Sequence, residues 1–229
     1  MPRYHGWRQA NARYGRMGPE SCERIHMASL EILERVGIDV HDERAREILG
    51  DHGAEVDGVR VRIPGHMVEH ALDATPARLT LCDRHGDVAI RAWGYDTAFG
   101  GGSDCLYVLD HESGKRRKAV LEDVRQAVTV MDALPEIDFV MSAFLPSDVD
   151  QRVYDVHQME VMLSNTSKPI VFVTPDFDGC VTAVEMCEVV AGGEEAFRRR
   201  PFATCYINVT SGLVANQEAL QKCIYLAEK

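Results

Sequence analysis

Three nearly uninterrupted apolar segments in the second half of the sequence constrain the fold more than any other feature. They are residues 138–146 (DFVMSAFLP), 168–175 (KPIVFVTP) and 201–210 (PFATCYINVT). Strands that are apolar throughout are buried on both faces, as in a parallel sheet covered by helices. Residues 151–164 and 180–196, which lie between them, carry apolar residues at helical spacing. The order therefore predicts βαβ units and an α/β fold.

The carboxyl ends of these predicted strands are the first place to look for a site, because parallel α/β folds bind ligands there. They carry polar or aromatic residues: Ser142, Phe144, Pro146, Asp148, Thr174, Asp176, Tyr206, Asn208, Thr210 and Ser211. Asp148 and Asp176 have an alternative role as N-caps of the helices that follow. Asn208 is a stronger candidate, since it falls inside an apolar run where a buried amide must find partners.

Composition narrows the class of partner. The net charge of −11 disfavours a nucleic-acid backbone and favours a cationic small molecule. The seven cysteines include no CxxC pair, which predicts reduced thiols in a cytoplasm rather than disulfides or a zinc site. No apolar run approaches the roughly 18 residues of a membrane span, and no apolar signal-peptide core follows the N-terminus.

The chain is predicted to have three regions. Residues 1–19, with four arginines and no acid, predict a flexible basic arm, and a transit peptide is the alternative. Residues 20–120 mix short helices with antiparallel strands, and residues 121–229 contain about three βα units. A closed (β/α)8 barrel needs eight such units. The expectation is therefore either a small open sheet or, preferably, the first part of a TIM barrel in a truncated chain.

Two local motifs leave alternatives open. The run Phe99-Gly-Gly-Gly-Ser-Asp-Cys105 either lets the backbone approach a ligand, with Ser103 and Asp104 as acceptors, or forms a bulge at a sheet corner. His66-Met-Val-Glu-His70 matches a zinc-protease pattern, but a solvated helix face is favoured and no metal is expected. The basic clusters 115–118 and 198–200 are interpreted as scaffold charges.

Several motifs together resemble one family, and they keep their order from about Glu20 to the end of the chain. They are Ile32-Leu-Glu-Arg-Val-Gly-Ile38, Phe99-Gly-Gly-Gly-Ser-Asp104 with Tyr107-Val-Leu-Asp110, Lys168-Pro-Ile-Val171, Asn208 to Leu213, and Asn216-Gln-Glu-Ala-Leu220. The sequence resembles the N-terminal half of the trimethylamine methyltransferase family, corrinoid-dependent enzymes that include pyrrolysine proteins and glycine-betaine-type relatives. The resemblance implies a TIM barrel that follows an N-terminal α+β region.

The resemblance also implies an activity in one-carbon metabolism, including methanogenesis. A methyl group would pass from trimethylamine, or from a quaternary amine such as glycine betaine, to the Co(I) of a corrinoid carried by a separate protein. No cofactor would be bound directly. The special residue of the pyrrolysine members lies on a later barrel strand, beyond this chain.

The predicted substrate wall follows from strand-end placement and from the chemistry that a methylated cation requires. It comprises Asp104, Ser103, Phe144, Tyr206, Asn208 and Thr210. Exposed sheet edges and helix faces predict poor solubility unless a partner chain covers them, and a homo-oligomer is one such arrangement. The alternative function is a non-catalytic module that binds small molecules on an open α/β sheet, or an inactive fragment of the enzyme.

Overall fold

The computed structural model describes residues 15–94, 96–208 and 212–229. Its elements, in chain order, are α1 (Pro19–Arg35), β1 (Ile38–Val40), α2 (Glu43–Asp51), β2 (Glu55–Asp57), β3 (Arg60–Arg62), α3 (Gly65–Ala74), β4 (Leu79–Cys82), β5 (Val88–Ala92), β6 (Tyr107–Leu109), β7 (Arg116–Lys118), α4 (Leu121–Ala133), α5 (Tyr154–Asn165), β8 (Ile170–Phe172), α6 (Phe177–Ala191), α7 (Glu194–Arg199), β9 (Ala203–Cys205), β10 (Val214–Ala215) and α8 (Gln217–Glu228).

The described chain divides into two compact units. Residues 78–206 form the first, which we call the βα unit, and residues 15–77 with 207–229 form the second, the terminal unit. The predicted boundaries after residues 19 and 120 concern the domains of the whole protein and stay a prediction. The predicted arm over residues 1–19 lies largely outside the described residues.

The βα unit contains a run of parallel backbone segments that follow one another in sequence. Residues 100–105 (segment A) pair in parallel with residues 138–144 (segment B) through the bridges Gly100↔Phe139 and Cys105↔Phe144. Segment B then pairs with β8, and β8 pairs with β9, again in parallel. The predicted parallel order of the three apolar strands is therefore confirmed. Segment A, which belongs to the glycine run Phe99–Cys105, is a further member.

The apolar segments form much shorter strands than the sequence predicted. β8 and β9 have three residues each, and segment B pairs only at single bridges. Val140, Ile170 and Phe172 are nevertheless buried, as expected for strands covered by helices. The covering helices follow in order, because α4 packs on α5 and α5 packs on α6. Their buried residues include Val124, Val128, Met159, Met162, Cys180, Val184 and Cys187.

The predicted hairpin of β4 and β5 forms, and its turn lies at the amino ends of the parallel strands. β4 and β5 pair antiparallel, with a register shift between Leu81 and Cys82. Cys82 donates its backbone N–H to Pro201 O at 2.8 Å, and Arg84 donates to Ser167 O at 2.9 Å. The two acceptor residues, Pro201 and Ser167, lie shortly before the first residues of β9 and β8, respectively. We call this side of the sheet the amino edge and the opposite side, where the strands end, the carboxyl edge.

The terminal unit has its own sheet, in the order β10-β1-β3-β2. β10 pairs in parallel with β1, whereas β3 pairs antiparallel with both β1 and β2. The core consists of Val40, Ala45 and Val61, and α8 packs against it through Leu220 and Ile224. The last helix therefore belongs with the N-terminal elements. Cys223, on the same helix, is exposed.

The described residues form a mixed α/β structure with small sheets, and none of these sheets closes into a barrel. A search of residues 15–94, 96–208 and 212–229 finds no helix that has both the length and the apolar character to cross a membrane.

Candidate active site

The carboxyl edge of the βα unit brings several predicted site residues to the same side of the parallel sheet. Asp104 lies at the end of segment A and Phe144 at the end of segment B. These two segments are hydrogen-bonded neighbours, since Cys105 donates its backbone N–H to Ala143 O at 3.1 Å. Tyr206 follows β9 directly. These residues therefore share one edge of the sheet, and their role as a substrate wall stays a prediction.

The glycine run of segment A owes its composition to close packing with neighbouring elements. A Cβ on Gly100 would overlap the ring of Phe139, and a Cβ on Gly101 would overlap Met131 Sδ. A Cβ on Gly102 would meet nothing within 4 Å. The first two glycines thus allow close approach to segment B and to α4 rather than to a ligand. Only Gly102 leaves open space, at the end where the candidate site lies.

The backbone at the carboxyl edge is bent in an uncommon way. Asp104 has φ of 60° and Ala143 has φ of 61°, and residues other than glycine rarely adopt such positive values. Phe144 donates its backbone N–H to Ser142 O at 2.7 Å, which makes Ala143 the centre of a tight γ-turn in its rarer, positive-φ form. Strained backbone of this kind concentrates at functional sites.

A polar face of α5 completes the edge, and the sequence analysis missed it. Asp155 is 5% exposed and Gln158 is 2% exposed, so these polar residues face the interior together with the buried Met159. Gln158 donates its side-chain amide to Phe144 O at 2.7 Å. Tyr154, one residue before Asp155, is half-buried. The sequence carries only a weak signal for this face, because α5 (YDVHQMEVMLSN) has polar residues on its exposed side as well.

The electrostatics of the edge centre on Tyr154. Burial raises the pKa of its phenol above the ordinary value, and the negative charges of Asp104, Asp155 and Asp176 raise it further. The three carboxylates come from segment A, α5 and the start of α6, so separate elements place negative charge around one phenol. Such an arrangement favours a cation and keeps the phenol protonated.

The start of α6 fixes two of these carboxylates. Asp176 is the N-cap, as predicted, and accepts a hydrogen bond from the backbone N–H of Gly179 at 2.8 Å. A Cβ on Gly179 would collide with Asp155 Oδ2, so only glycine leaves room for that carboxylate. Asp148 caps a different helix from the one expected, because it accepts from Leu121 N at 2.8 Å and so closes the start of α4.

The model of the trimethylamine methyltransferase family matches residues 2–229, almost the whole chain. The chain belongs to the trimethylamine methyltransferase family. It is 32% identical over 196 residues to a trimethylamine methyltransferase of Desulfitobacterium hafniense, covering 85% of this chain and 40% of the relative. It is 25% identical over 219 residues to a glycine betaine methyltransferase of the same species, covering 94% and 45%.

A third relative matches this chain over a similar share of its length. The trimethylamine methyltransferase of Methanosarcina thermophila is 28% identical over 215 residues, which cover 90% of this chain and 44% of the relative. The chain therefore spans less than half the length of these curated relatives. The family resemblance inferred from the motifs is confirmed.

Two residues of the predicted wall, Asn208 and Thr210, are not found at the carboxyl edge of the βα unit as the structure describes it. Asn208 belongs to the terminal unit and is exposed, so the expectation of a buried amide inside a strand is wrong. The physical reason is that β9 ends at Cys205, before the polar residues begin. Thr210 lies outside the described residues. Ser103 is half-buried and donates its hydroxyl to Asp104 Oδ2 at 3.2 Å.

The remaining motifs are scaffold features. His66, Glu69 and His70 are exposed on α3, as the solvated-face interpretation predicted, and Glu69 lies 2.6 Å from His26 on α1. Within the described ranges, no group of three or more His, Cys, Asp or Glu residues is placed to hold a metal ion. In the first basic cluster, Arg117 pairs with the buried carboxylate of Asp123, as expected for a structural charge.

Proposed function

We propose that the protein transfers a methyl group from a methylated amine, trimethylamine or a quaternary amine such as glycine betaine, to the Co(I) of a corrinoid carried by a separate protein. Family membership over residues 2–229 is the observation that carries the proposal. The corrinoid acts as a second substrate. The chain then needs an accessible carboxyl edge rather than cobalt ligands, and the exposure of Asp104 at that edge meets this requirement.

The charge distribution of the carboxyl edge supports a cationic substrate. The carboxylates of Asp104, Asp155 and Asp176 all act on the Tyr154 phenol, so a bound ammonium group at this position would be attracted by each of them. Phe144 and Tyr206 are aromatic residues at the carboxyl ends of segment B and β9, and aromatic rings suit N-methyl groups through cation–π contact. The same carboxylates would repel the carboxylate of glycine betaine. We therefore expect trimethylammonium to compete better than glycine betaine at this edge.

The chemical step needs a positive nitrogen and no acid at the moment of transfer. The bond between nitrogen and the methyl carbon breaks with its electron pair remaining on nitrogen, and Co(I) supplies the pair that forms the new bond to carbon. The leaving group is then a neutral amine: the tertiary amine from a quaternary substrate, or dimethylamine from protonated trimethylamine. The work of this chain is to hold the cation, orient one methyl group and exclude water.

Tyr154 fits the binding task rather than proton transfer. Its pKa is raised above the ordinary value, so the phenol is neutral at physiological pH. The hydroxyl group can therefore donate a hydrogen bond, and the ring offers a π face beside the carboxylates. Val140, Ile170 and Phe172 are buried in the strands that lead to this edge, so the sheet next to the proposed site is apolar. A low local dielectric strengthens the attraction between carboxylates and cation.

The direct test is demethylation by the full-length chain, supplied with a Co(I) corrinoid protein and a panel of methylated amines. The expected result is one methyl group lost per turnover from trimethylamine or from a quaternary amine, detected as the demethylated amine by chromatography. Binding of an amine with no turnover by any substrate would favour the binding module. If the chain neither binds nor demethylates any amine of the panel, both functions are rejected.

A matched pair of substitutions tests the site. Asp104→Asn should weaken the binding of tetramethylammonium about tenfold, because it removes one of the charges that act on Tyr154. Asp150→Asn is the control, since Asp150 is exposed, pairs with Arg152 and does not act on Tyr154. Isothermal titration of both variants decides the matter. Equal effects of the two substitutions would show a diffuse acidic surface instead of a site.

A further inference from the structure

Segment B has segment A on one side along its length, but it loses β8 on the other side at the point where the candidate site begins. Up to Val140 it pairs with β8, since Val171 donates its backbone N–H to Val140 O at 2.9 Å. Beyond that point, Ala143 is hydrogen-bonded to segment A, and Phe144 donates its backbone N–H to Ser142 O within the γ-turn. The carbonyl of Phe144, at the end of the segment, accepts instead from the buried side chain of Gln158 at 2.7 Å. A side chain of α5 thus takes over where the strand ladder stops.

The backbone that Gln158 holds is strained. Ala143 has φ of 61° at the centre of the γ-turn, and an L-residue does not remain in this conformation unless its surroundings impose it. Segment A restrains the turn from one side through the Ala143 N–H to Gly102 O bond of 2.9 Å and the Cys105 N–H to Ala143 O bond of 3.1 Å. Gln158 restrains it from the other.

The same bonds connect the turn to Asp104. This residue lies between Gly102 and Cys105, which both bond to Ala143, and it has a positive φ of its own. A shift at Ala143 would therefore move Asp104 as well as Phe144. The amide of Gln158 is 2% exposed, and burying such a group is unfavourable unless its hydrogen bond is made. An apolar side chain would have filled this position without that requirement.

We propose that Gln158 is a positioning residue for the substrate cation: its amide holds the strained turn at Ala143 and so fixes Asp104 and Phe144 at the carboxyl edge. This inference rests on the proposed function, because it assigns those two residues to the binding of a methylated amine. Gln158 acts through them and does not itself contact the substrate.

Gln158→Met tests the role, because methionine has a similar length and cannot donate the hydrogen bond. We expect the Kd of tetramethylammonium for the full-length chain to rise about tenfold, since loss of a defined geometry weakens every contact to the cation. Gln126→Met is the matched control. Gln126 is an exposed glutamine on α4 whose amide donates to Glu122. Its substitution should leave the Kd unchanged.

Two further variants separate positioning from simple stability. Leu163→Ala removes a buried apolar side chain from the same helix and should lower the melting temperature without changing the Kd. Ala143→Gly makes the positive φ easy to adopt, so adding it to Gln158→Met should return the Kd toward the original value. This rescue would not occur if Gln158 served only the packing of α5.

The outcomes are distinguishable. A Kd for Gln158→Met within twofold of the unsubstituted chain, an equal rise in Leu163→Ala, or no rescue by Ala143→Gly would each overturn the positioning role while leaving the proposed function intact. If the unsubstituted chain binds neither tetramethylammonium nor trimethylammonium, the proposed function fails and the positioning role falls with it. A tenfold rise that Ala143→Gly reverses supports both.

Discussion

The amino and carboxyl edges of the parallel sheet solve different problems with similar residue types. At the amino edge, Asp132 accepts hydrogen bonds from the Thr166 hydroxyl at 2.6 Å and from Ser167 N at 3.1 Å. Lys168 Nζ donates to Met131 O at 2.7 Å and Leu134 O at 2.6 Å, at the end of α4. Each of these polar groups serves a backbone or side-chain partner within the fold.

At the carboxyl edge, by contrast, three carboxylates from different elements act on one group: Asp104, Asp155 and Asp176 all raise the pKa of the Tyr154 phenol. Asp104 and Ala143 also hold positive φ angles. This difference is what we expect if the amino edge contributes stability and the carboxyl edge, under the proposed function, binds a cation.

The largest expected effect comes from breaking the packing between segments A and B. Gly100→Ala would drive a methyl group into the ring of Phe139, and we expect it to lower the free energy of unfolding by about 3 kcal/mol. Gly102→Ala is the matched control in the same run. It has open space and should change stability by less than about 0.5 kcal/mol. Urea denaturation of both variants measures the difference, and equal losses would contradict the packing account.

The second effect tests the amino edge alone. Asp132→Ala leaves the buried Thr166 hydroxyl and the Ser167 N–H without their acceptor, which should cost about 2 kcal/mol. Asp132→Asn keeps an acceptor oxygen and should retain most of the stability. Tetramethylammonium binding should be the same in both variants once they are folded. A loss of affinity in Asp132→Ala would remove the functional distinction between the edges.

The parallel arrangement was predictable because it depends on a pattern that the sequence displays directly. Runs such as Lys168–Pro175 are apolar on both faces and can be buried only between layers. Strand lengths were not predictable to the same degree. A hydrophobic run does not show where its hydrogen-bond ladder stops, and β9 ends at Cys205 although apolar residues continue. This explains why Asn208 was wrongly placed in a buried strand.

Site residues could be predicted where they stand at the end of a strand-like segment of the sequence. They could not be predicted where their position depends on tertiary packing. Asp104, Phe144 and Tyr206 could be found because each stands at the end of a recognisable segment. Tyr154, Asp155 and Gln158 could not, because their roles depend on which face of α5 meets the sheet. The strained turn at Ala143 has no sequence signal, since alanine there gives no indication of a positive φ.

A third prediction addresses the carboxyl edge and separates stability from binding. Gly179→Ala should displace the Asp155 carboxylate, but the higher helix propensity of alanine offsets part of the strain. We expect a change in unfolding free energy of less than about 1 kcal/mol, together with a several-fold rise in the Kd of tetramethylammonium. Gly50→Ala in α2 is the control, because its Cβ would meet Val56 Cγ2 only at 3.4 Å. Unchanged binding in Gly179→Ala would exclude Asp155 from the site.

The smallest expected effect is a difference in the pH dependence of stability between the two edges. Burial lowers the pKa of Lys168 at the amino edge, whereas burial and nearby carboxylates raise the pKa of Tyr154 at the carboxyl edge. Just below the ordinary lysine pKa of about 10.4, the unfolded chain holds the Lys168 proton more tightly than the folded chain, so this residue makes stability rise with pH. Above the ordinary tyrosine pKa of about 10, the folded chain holds the Tyr154 proton more tightly, so that residue makes stability fall with pH.

Substitution should therefore change the slope in opposite directions. Between about pH 9 and about pH 11, Tyr154→Phe should make the free energy of unfolding fall less steeply with pH, and Lys168→Met should make it fall more steeply. The measurement is urea denaturation at several pH values, with each variant compared with the unsubstituted chain. Both side chains are partly exposed, so the changes should be small. Slopes that shift in the same direction would mean that one of the two pKa values is displaced opposite to the direction given above, and a Tyr154 pKa that is not raised would contradict a partly buried phenol surrounded by carboxylates.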